Sequence, residues 1–163
     1  NNVYGLTTGQ ASPTAKNGFV TKSTPEGVAD EPINPISLAL VTGASFIARG
    51  FAGEMANLTD LFVKAITHKG FSLVDVLQPC VTFDKVHTYD WYRKRVYTME
   101  SVSQSISEAF SKAMEWGDRI PTGIFWSQDR PTSEDLETAL DGKNLLVQTS
   151  GIPERDGVLA SYR

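Results

Sequence analysis

A strand–helix–strand pattern over residues 45–79 constrains the fold of this chain more than any other feature of its sequence. The stretches "SFIARG" (45–50) and "FSLVDVLQP" (71–79) are short apolar runs, ended by a glycine and a proline respectively. Between them, the segment 54–70 has apolar residues at the spacing of an amphipathic helix, namely Leu58, Leu61, Phe62, Ala65 and Ile66. Strands that alternate with helices are typical of βαβ units. The sequence therefore predicts an α/β fold with a parallel sheet, in which 71–79 is a central strand.

Shorter patterns predict the remaining elements. A helix within 35–44 begins with proline at its first position and is stopped by Gly43. A short strand is predicted over 122–128, and a helix capped by Thr132 or Ser133 over 132–140. Another helix is predicted over 101–119, and its apolar stripe comprises Val102, Ile106, Phe110, Ala113 and Met114.

The predicted elements do not fill a whole domain. Three strands are predicted, whereas open sheets usually have about five or six. Residues 1–140 are therefore expected to be part of a larger α/β domain, followed by a tail over 141–163 that is a candidate partner contact. Residues 1–35 form a long loop rich in Gly, Thr, Ser and Pro, and loops of that length in compact domains are usually functional. Residues 80–100 are expected to be irregular, and their aromatic and basic part, 89–96, has no assigned role.

Charge and cysteine usage exclude several classes of function. The formal net charge is -4, so neither nucleic acid nor an anionic membrane surface is an expected partner. No apolar run is long enough to cross a bilayer. The single cysteine, Cys80, excludes an internal disulfide and fits a reducing compartment, so a cytoplasmic location is expected.

The opening stretch "NNVYGLTTGQASPT" (1–14) has the chemistry of a magnesium and phosphate site. Amide and carbonyl oxygens are ligands that Mg²⁺ prefers, and Asn1 offers a side-chain oxygen while Val3 offers a carbonyl. Gly5 and Gly9 let the backbone approach a ligand closely. Neutral hydrogen-bonding groups are available on Thr7, Thr8, Gln10 and Ser12. The alternative interpretation of these residues is a polar surface turn.

Cys80, in "VLQPCVTF" (76–83), follows the proline that ends the second apolar run. It is a candidate buried hydrophobe, a nucleophile assisted by His68 or His87, or a metal ligand that needs cysteines from another segment. Arg49 ends the first run, and it could either reach a ligand or pair with an acid.

Four stretches together resemble the β subunit of 2-oxoacid:ferredoxin oxidoreductases, especially the archaeal two-subunit type. They are "NNVYGLTTGQASPT", "ASFIARGF", "HKGFSLVDVLQPCVTF" and "PTGIFWSQDRPT". The resemblance runs from residue 1 to about residue 135. It implies that residues 1–140 are the C-terminal part of a thiamine-diphosphate-binding domain. It also implies that an N-terminal segment of the β subunit, with a Gly-Asp-Gly motif, precedes Asn1 outside this chain.

The resemblance further implies the roles of particular residues. Asn1 and the carbonyl of Val3 are Mg²⁺ ligands, and Cys80 is the fourth thiolate of a [4Fe–4S] cluster. Leu6 and Thr8 line the substrate pocket. Many relatives carry lysine in place of Thr8, and its absence favours pyruvate or a broad range of 2-oxoacids over 2-oxoglutarate. The implied contacts with thiamine diphosphate are Asn1, Val3, Tyr4, Gly5, Leu6 and Thr7.

The implied activity is the oxidative decarboxylation of a 2-oxoacid with coenzyme A to acyl-CoA and CO₂, with electrons passing through the cluster to ferredoxin. The catalytic glutamate belongs to the partner α subunit, so this chain contains no catalytic residue and is expected to be inactive alone. Two alternatives stay open: another thiamine-diphosphate decarboxylase or synthase without a cluster, and a non-catalytic α/β interaction module.

Overall fold

The structure is a computed structural model that describes residues 2–137. The chain divides into two compact units, Asn1–Arg130 and Pro131–Arg163. The second unit is described only over residues 131–137, so the predicted boundary between 1–140 and 141–163 lies outside the described residues and stays a prediction. Within 2–137, no helix is long and apolar enough to cross a membrane.

The first segment of the chain is a small hairpin followed by a long loop. Strands β1 (Val3–Tyr4) and β2 (Gln10–Ala11) pair antiparallel. The turn between them contains two residues with positive φ, Thr8 at 63° and Gly9 at 99°. Beyond β2, the chain forms turns as far as the first helix, with one isolated bridge between Thr21 and Thr24. The predicted long loop is confirmed, apart from these two short strands.

The main sheet of the first unit has four strands, β3 (Phe46–Phe51), β4 (Ser72–Leu77), β5 (Val96–Thr98) and β6 (Ile120–Ser127). Their order is β4-β3-β6-β5. The α/β class and the parallel β3–β4 pair are confirmed. β5 and β6 are also parallel, but β6 runs antiparallel to β3, so the sheet is mixed. The prediction that 71–79 is a central strand is wrong for the described sheet, in which β4 lies at an edge.

Within residues 2–137, helices precede, separate and follow these strands along the chain. They are α1 (Pro35–Val41), α2 (Met55–Thr67), α3 (Tyr89–Arg93) and α4 (Ile106–Ala113) in the first unit, and α5 (Ser133–Leu136) in the second. α2 ends at Thr67 and does not reach residue 70, the end of the predicted segment, because His68 is already extended at ψ 139°. Thr132 caps α5 through a capping box with Asp135, and residues 138–140 of that predicted helix lie outside the described residues. α3 and β5 correct the prediction that 80–100 is irregular.

The packing of α4 differs from the predicted stripe. Ala109 and Ala113 are its fully buried residues, while Ile106, Phe110 and Met114 are 52%, 41% and 58% exposed. α1 packs against α4, and the two alanines share a core with residues of α1, β3 and β6. A large side chain would keep the helices apart, so the small residues face the neighbouring helix.

The sheet has a core on each face. Ile47 of β3 packs with α1 and α4, whereas its neighbours Phe46 and Ala48 pack with Leu61 of α2. This division follows the alternation of side chains along a strand. α2 approaches β3 closely at Gly50, where a Cβ atom would lie 2.6 Å from Cδ1 of Leu58.

Candidate functional site

The opening hairpin lies against the segment that follows β4. A Cβ atom on Gly5 would lie 3.5 Å from Sγ of Cys80, and a Cβ atom on Gly9 would lie 3.1 Å from Cδ1 of Phe83. Cys80 begins a tight turn, because its carbonyl accepts hydrogen bonds from the amides of Phe83 (3.2 Å) and Asp84 (2.9 Å). The structure therefore brings together the two stretches that the sequence singled out as candidate sites.

A buried carboxylate ties the hairpin to this turn. Asp84 accepts hydrogen bonds from Nδ2 of Asn2 (3.3 Å) and from Nδ1 of His87 (2.8 Å). The amides of Val86 and His87 donate to its other oxygen, each at 2.9 Å. Burial favours the neutral carboxyl, but the hydrogen bonds from His87 and Val86 outweigh burial and lower the pKa of Asp84 below its ordinary value of 3.8. Asp84 therefore holds the hairpin and the Cys80 turn together as an ionised group.

The hairpin leaves one carbonyl of β1 directed away from β2. The carbonyl of Asn2 accepts from Ser12, and the carbonyl of Tyr4 accepts from Gly9, both at 3.0 Å. Successive carbonyls of a strand point in opposite directions. The carbonyl of Val3 therefore points to the edge that β2 does not cover, although its side chain is buried. This carbonyl is therefore not used by the hairpin, and its role as a ligand of Mg²⁺ stays a prediction.

The hairpin tip projects from the rest of the unit. Leu6 is 100% exposed, and Tyr4, Gly5, Thr7 and Thr8 are also exposed. The turn is held by a hydrogen bond from the Thr8 amide to the Gly5 carbonyl (3.0 Å). These five residues are neighbours in one exposed turn, and their assignment to a cofactor and substrate pocket stays a prediction. Asn1, the predicted side-chain ligand of Mg²⁺, lies outside the described residues.

The histidines do not form a nucleophile–base pair with Cys80. His68 bonds to Oγ of Ser45 (3.0 Å) at the start of β3, which is the opposite end of the strand from Cys80. The ring of His87 is committed to Asp84 and packs edge-on against Trp91. No hydrogen bond joins Cys80 to either histidine in residues 2–137, so this region gives the hydrolase interpretation no support.

Arg49 pairs with an acid near the carboxyl ends of β3 and β4. Its Nε atom donates to Oδ2 of Asp75 at 2.8 Å, and the Arg49 side chain is only 2% exposed. Tyr92 is buried near this pair. Burial and the charges of Asp84 and Asp75 raise the pKa of Tyr92 to about 12, while Arg49 opposes the shift. The Tyr92 hydroxyl therefore stays protonated at neutral pH.

Comparison with known protein families covers most of the chain. Residues 1–76 match the model of "Thiamine pyrophosphate enzyme, C-terminal TPP binding domain". Residues 80–141 match the model of the C-terminal part of the pyruvate ferredoxin oxidoreductase beta subunit. The first match ends at Val76 near the end of β4, and the second begins at Cys80.

Similar proteins have consistent names. The 2-oxoacid:ferredoxin oxidoreductase subunit beta of Sulfolobus sp is 45% identical, over 99% of this chain and 58% of the relative. The subunit of the same name from Saccharolobus solfataricus is 46% identical, over 79% of this chain and 47% of the relative. This chain belongs to the 2-oxoacid:ferredoxin oxidoreductase β-subunit family. It spans 58% of the length of the Sulfolobus relative.

A solved structure of the same family has the same fold. A chain of 2-oxoglutarate:ferredoxin oxidoreductase from Magnetococcus marinus, solved with 2-oxoglutarate, coenzyme A and succinyl-CoA bound, matches with a TM-score of 0.83 and 30% identity. The match covers 100% of the present chain and 56% of that chain. The α/β fold of residues 2–137 is therefore a fold of this family.

The described residues fit only in part the Mg²⁺ ion and the [4Fe–4S] cluster that the sequence resemblance implies. The Val3 carbonyl is a hard oxygen donor on an uncovered edge, which suits Mg²⁺. Cys80 is partly exposed and free, so its sulfur is available as a thiolate ligand. Residues 2–137 contain no group of three or more His, Cys, Asp or Glu that could hold a metal. Cys80 can therefore be only one of the four thiolates that a [4Fe–4S] cluster needs.

Two residues of this site, Asn2 and Asp84, were not predicted from the sequence, and His87 was named only as a candidate base for Cys80. Asn2, Asp84 and His87 form the network that joins the hairpin to the Cys80 turn. The pattern of an aspartate followed three residues later by a histidine, soon after Cys80, was the available signal for part of it. An Asp side chain commonly bonds to backbone amides two or three residues ahead. Its partner Asn2 had no such local signal.

Proposed function

We propose that this chain contributes part of the thiamine-diphosphate site and one cluster ligand to a 2-oxoacid:ferredoxin oxidoreductase. The complete enzyme converts a 2-oxoacid and coenzyme A to acyl-CoA and CO₂, and it transfers electrons through a [4Fe–4S] cluster to ferredoxin. Its partners are an α subunit, the remainder of the β subunit and ferredoxin. Membership of the β-subunit family supports this assignment.

The observation that carries the proposal is the proximity of Gly5 and Cys80. Gly5 belongs to the proposed cofactor loop, and Cys80 is the proposed cluster ligand. A Cβ atom on Gly5 would lie 3.5 Å from the sulfur. Electrons leave the cofactor for the cluster in this activity, so the two groups must lie near each other. The shared contact supports both roles at once.

The residues of this chain would hold and orient the cofactors. Thiamine diphosphate, once bound, supplies the chemistry of carbon–carbon bond cleavage. The Asn1 side chain and the Val3 carbonyl would bind Mg²⁺, while Gly5 lets the backbone come close to the cofactor. Asp84 fixes the hairpin against the Cys80 turn through Asn2, which keeps the two sites in register.

A substitution of Cys80 tests the cluster assignment in the complete enzyme. Cys80→Ser should lower the iron and sulfide content and abolish ferredoxin reduction, because a serine does not replace the thiolate well. Val81→Ser is the matched control, since Val81 is 54% exposed in the same turn. It should retain iron and activity. Unchanged iron and ferredoxin reduction in Cys80→Ser would refute the cluster role.

The same measurements distinguish the alternatives. An enzyme that releases CO₂ from a 2-oxoacid but contains no iron or sulfide would be a thiamine-diphosphate decarboxylase or synthase without a cluster. A complete protein that binds neither thiamine diphosphate nor Mg²⁺ would be a non-catalytic module. For the metal site, Asn1→Ala should raise the Mg²⁺ concentration needed for cofactor binding. Gln128→Ala, an exposed amide at the other end of the sheet, should not.

Thr8 is proposed to set the substrate preference toward pyruvate or a broad range of 2-oxoacids. It is exposed at the hairpin tip and carries no charge to pair with a distal carboxylate. Thr8→Lys should therefore raise kcat/KM for 2-oxoglutarate relative to pyruvate by about tenfold, the effect of one charge-assisted hydrogen bond. Thr8→Gln, which has a similar length without charge, is the control. Equal shifts in both variants would exclude a charge effect.

A further inference from the structure

A cavity of about 280 Å³ opens beside the carboxyl ends of β3 and β4. Arg49 and Asp75 line it from the sheet, and Lys16 lines it from the loop after the hairpin. Met114 and Trp116 contribute an apolar wall near the end of α4. Neither Cys80 nor the hairpin tip lines this cavity, but Asn2 of the Asp84 network does, so the cavity adjoins the site described above without including its proposed cofactor ligands.

The guanidinium of Arg49 has an unused hydrogen-bond donor. Its Nε atom is paired with Asp75, but the Nη1 atom is buried and has no hydrogen-bond partner in residues 2–137. The guanidinium lies 5.4 Å from the ring centre of Trp116 and 5.3 Å from that of Phe125. Aromatic faces within about 6 Å attract the cation but do not satisfy an N–H donor. Buried donors are seldom left unpaired in native proteins, so an acceptor is expected here.

The charge at the cavity favours an anion. Its lining includes two cationic side chains, Arg49 and Lys16, and one anionic side chain, Asp75. Asp75 is already paired with Arg49, so the excess positive charge comes from Lys16. Lys16 is exposed and makes no ion pair with the residues that the structure describes. A ligand with one negative charge would balance this arrangement.

The remaining walls favour a small molecule with an apolar part. Half of the lining residues are apolar, namely Pro32, Ile33, Pro35, Leu77, Met114 and Trp116. A volume of about 280 Å³ is at the lower limit of ligand pockets, so the ligand has few atoms. Asn34 is a fixed wall, because it caps α1 and donates to the carbonyl of Ala113 at 2.7 Å.

We propose that this cavity binds a short-chain carboxylic acid, with the carboxylate beside Arg49 and Lys16 and the chain against Met114 and Trp116. The carboxylate lies beside the Arg49 guanidinium, which lines the cavity and whose Nη1 donor has no hydrogen-bond partner within the described chain. The site does not depend on the function proposed above, since it uses neither the hairpin tip nor Cys80.

Titration calorimetry of the complete protein with propionate tests the proposal, because propionate is not a 2-oxoacid and cannot react. Propionate should bind with a dissociation constant on the order of 1 mM, as expected for a ligand of so few atoms. Propionamide, the neutral analogue, and inorganic phosphate, which lacks an apolar part, should each bind at least tenfold more weakly. The comparison with propionamide tests whether the negative charge is recognised. The comparison with phosphate tests whether the apolar chain contributes or any anion binds.

Three variants locate the binding. Arg49→Gln combined with Asp75→Asn removes the pair without leaving one buried charge, and Met114→Trp narrows the cavity. Each should weaken propionate binding at least tenfold. Leu38→Trp is the matched control, because Leu38 is 55% exposed on α1 and does not line the cavity.

Two results would overturn the proposal. One is no propionate binding to the natural protein at many times the expected dissociation constant, and the other is equal affinity in the control and in Met114→Trp. Met114 is itself 58% exposed, so this variant remains informative even where the double variant fails to fold. Ferredoxin reduction by the same preparation shows separately whether the proposed function holds.

Discussion

Arg49 and Asp75 are register partners on the parallel strands β3 and β4, and their side chains meet at 2.8 Å between Nε and Oδ2. Side chains at paired positions of neighbouring strands project from the same face of a sheet. The Arg49 side chain is 2% exposed and that of Asp75 is 18% exposed. The pair therefore places two opposite charges out of water at the carboxyl ends of the strands.

Removal of one partner of this pair should destabilise the protein strongly. Asp75→Ala leaves the Arg49 charge buried without compensation, and we expect a loss of about 3–5 kcal/mol in the free energy of unfolding, measured by urea denaturation. Lys64→Ala removes an exposed pair with Asp60 and should cost less than about 1 kcal/mol. Equal effects of the two variants would show that the buried pair has no special importance.

The hairpin turn provides a second prediction. Gly9 and Gly18 both have positive φ, at 99° and 77°, but only at Gly9 would an added Cβ atom have a neighbour within 4 Å, namely Phe83. Gly18→Ala should cost roughly 1–2 kcal/mol from backbone strain alone. Gly9→Ala should cost more, because its Cβ atom must also displace the Phe83 ring.

The difference between these two variants isolates the contact between the hairpin and the Cys80 turn. Thermal unfolding measures the stability of each variant. The rate at which a thiol reagent labels Cys80 measures how readily the turn around Cys80 opens. Faster labelling is expected in Gly9→Ala and not in Gly18→Ala. Identical stabilities of the Gly9→Ala and Gly18→Ala variants would mean that the hairpin makes no close contact with the Cys80 turn at Gly9.

Asp84 predicts a pH dependence of stability. The pKa of Asp84 in the folded protein lies below its ordinary value of 3.8, so the unfolded chain binds this proton first as the pH falls. The stabilising contribution is therefore complete above that value and is lost as the pH drops through the lowered pKa of the folded state. Asp84→Asn should reduce stability at neutral pH and weaken the fall in stability below about pH 4, in urea titrations repeated across pH.

A control for this prediction is Asp90→Asn. Asp90 pairs with Arg93 on the surface, and its side chain is 81% exposed. Its removal should leave the acid limb of the stability profile almost unchanged. Suppose instead that stability falls in parallel in the natural protein and in Asp84→Asn below about pH 4. That result would contradict the assigned role of Asp84.

The alanine face of α4 provides a further prediction. Ala113 is fully buried between α4, α1 and the sheet, whereas Ser111 on the same helix is exposed. Ala113→Leu should destabilise the protein by about 1–3 kcal/mol through overpacking. Ser111→Leu introduces the same side chain without a close neighbour and should change stability by less than about 0.5 kcal/mol. The urea concentrations at the unfolding midpoints of Ala113→Leu and Ser111→Leu measure these two changes in stability.

Local sequence patterns predicted the helices and strands better than they predicted which elements lie next to each other. The unit of β3, α2 and β4 was predicted because short apolar runs and the period-3.6 pattern of a helix depend only on nearby residues. The short α3 was not predicted, although Thr88 caps it and Asp90 lies in its first turn. The edge position of β4 and the antiparallel β6 were not predicted, because strand order depends on how distant segments pack.

The buried face of α4 and the contacts of the candidate site also depend on how distant segments pack, so local patterns did not predict them. A stripe of large apolar residues predicted the contact face, but the close approach of α1 selected Ala109 and Ala113 instead. Asn2 and Asp84, 82 positions apart, carry no common local pattern that predicts their hydrogen bond.

The sequence by itself determined the strand–helix–strand unit, the long opening loop, and the family to which the motifs around Val3 and Cys80 belong, because these depend on local order along the chain. Only the tertiary structure decided that Gly5 lies beside Cys80 and that Asp84 joins the two segments. It also decided that Arg49 satisfies Asp75 while a second donor stays buried beside a cavity. The physical reason is that burial and hydrogen-bond pairing are set by all the segments packed around a residue, not by its own neighbours in the chain.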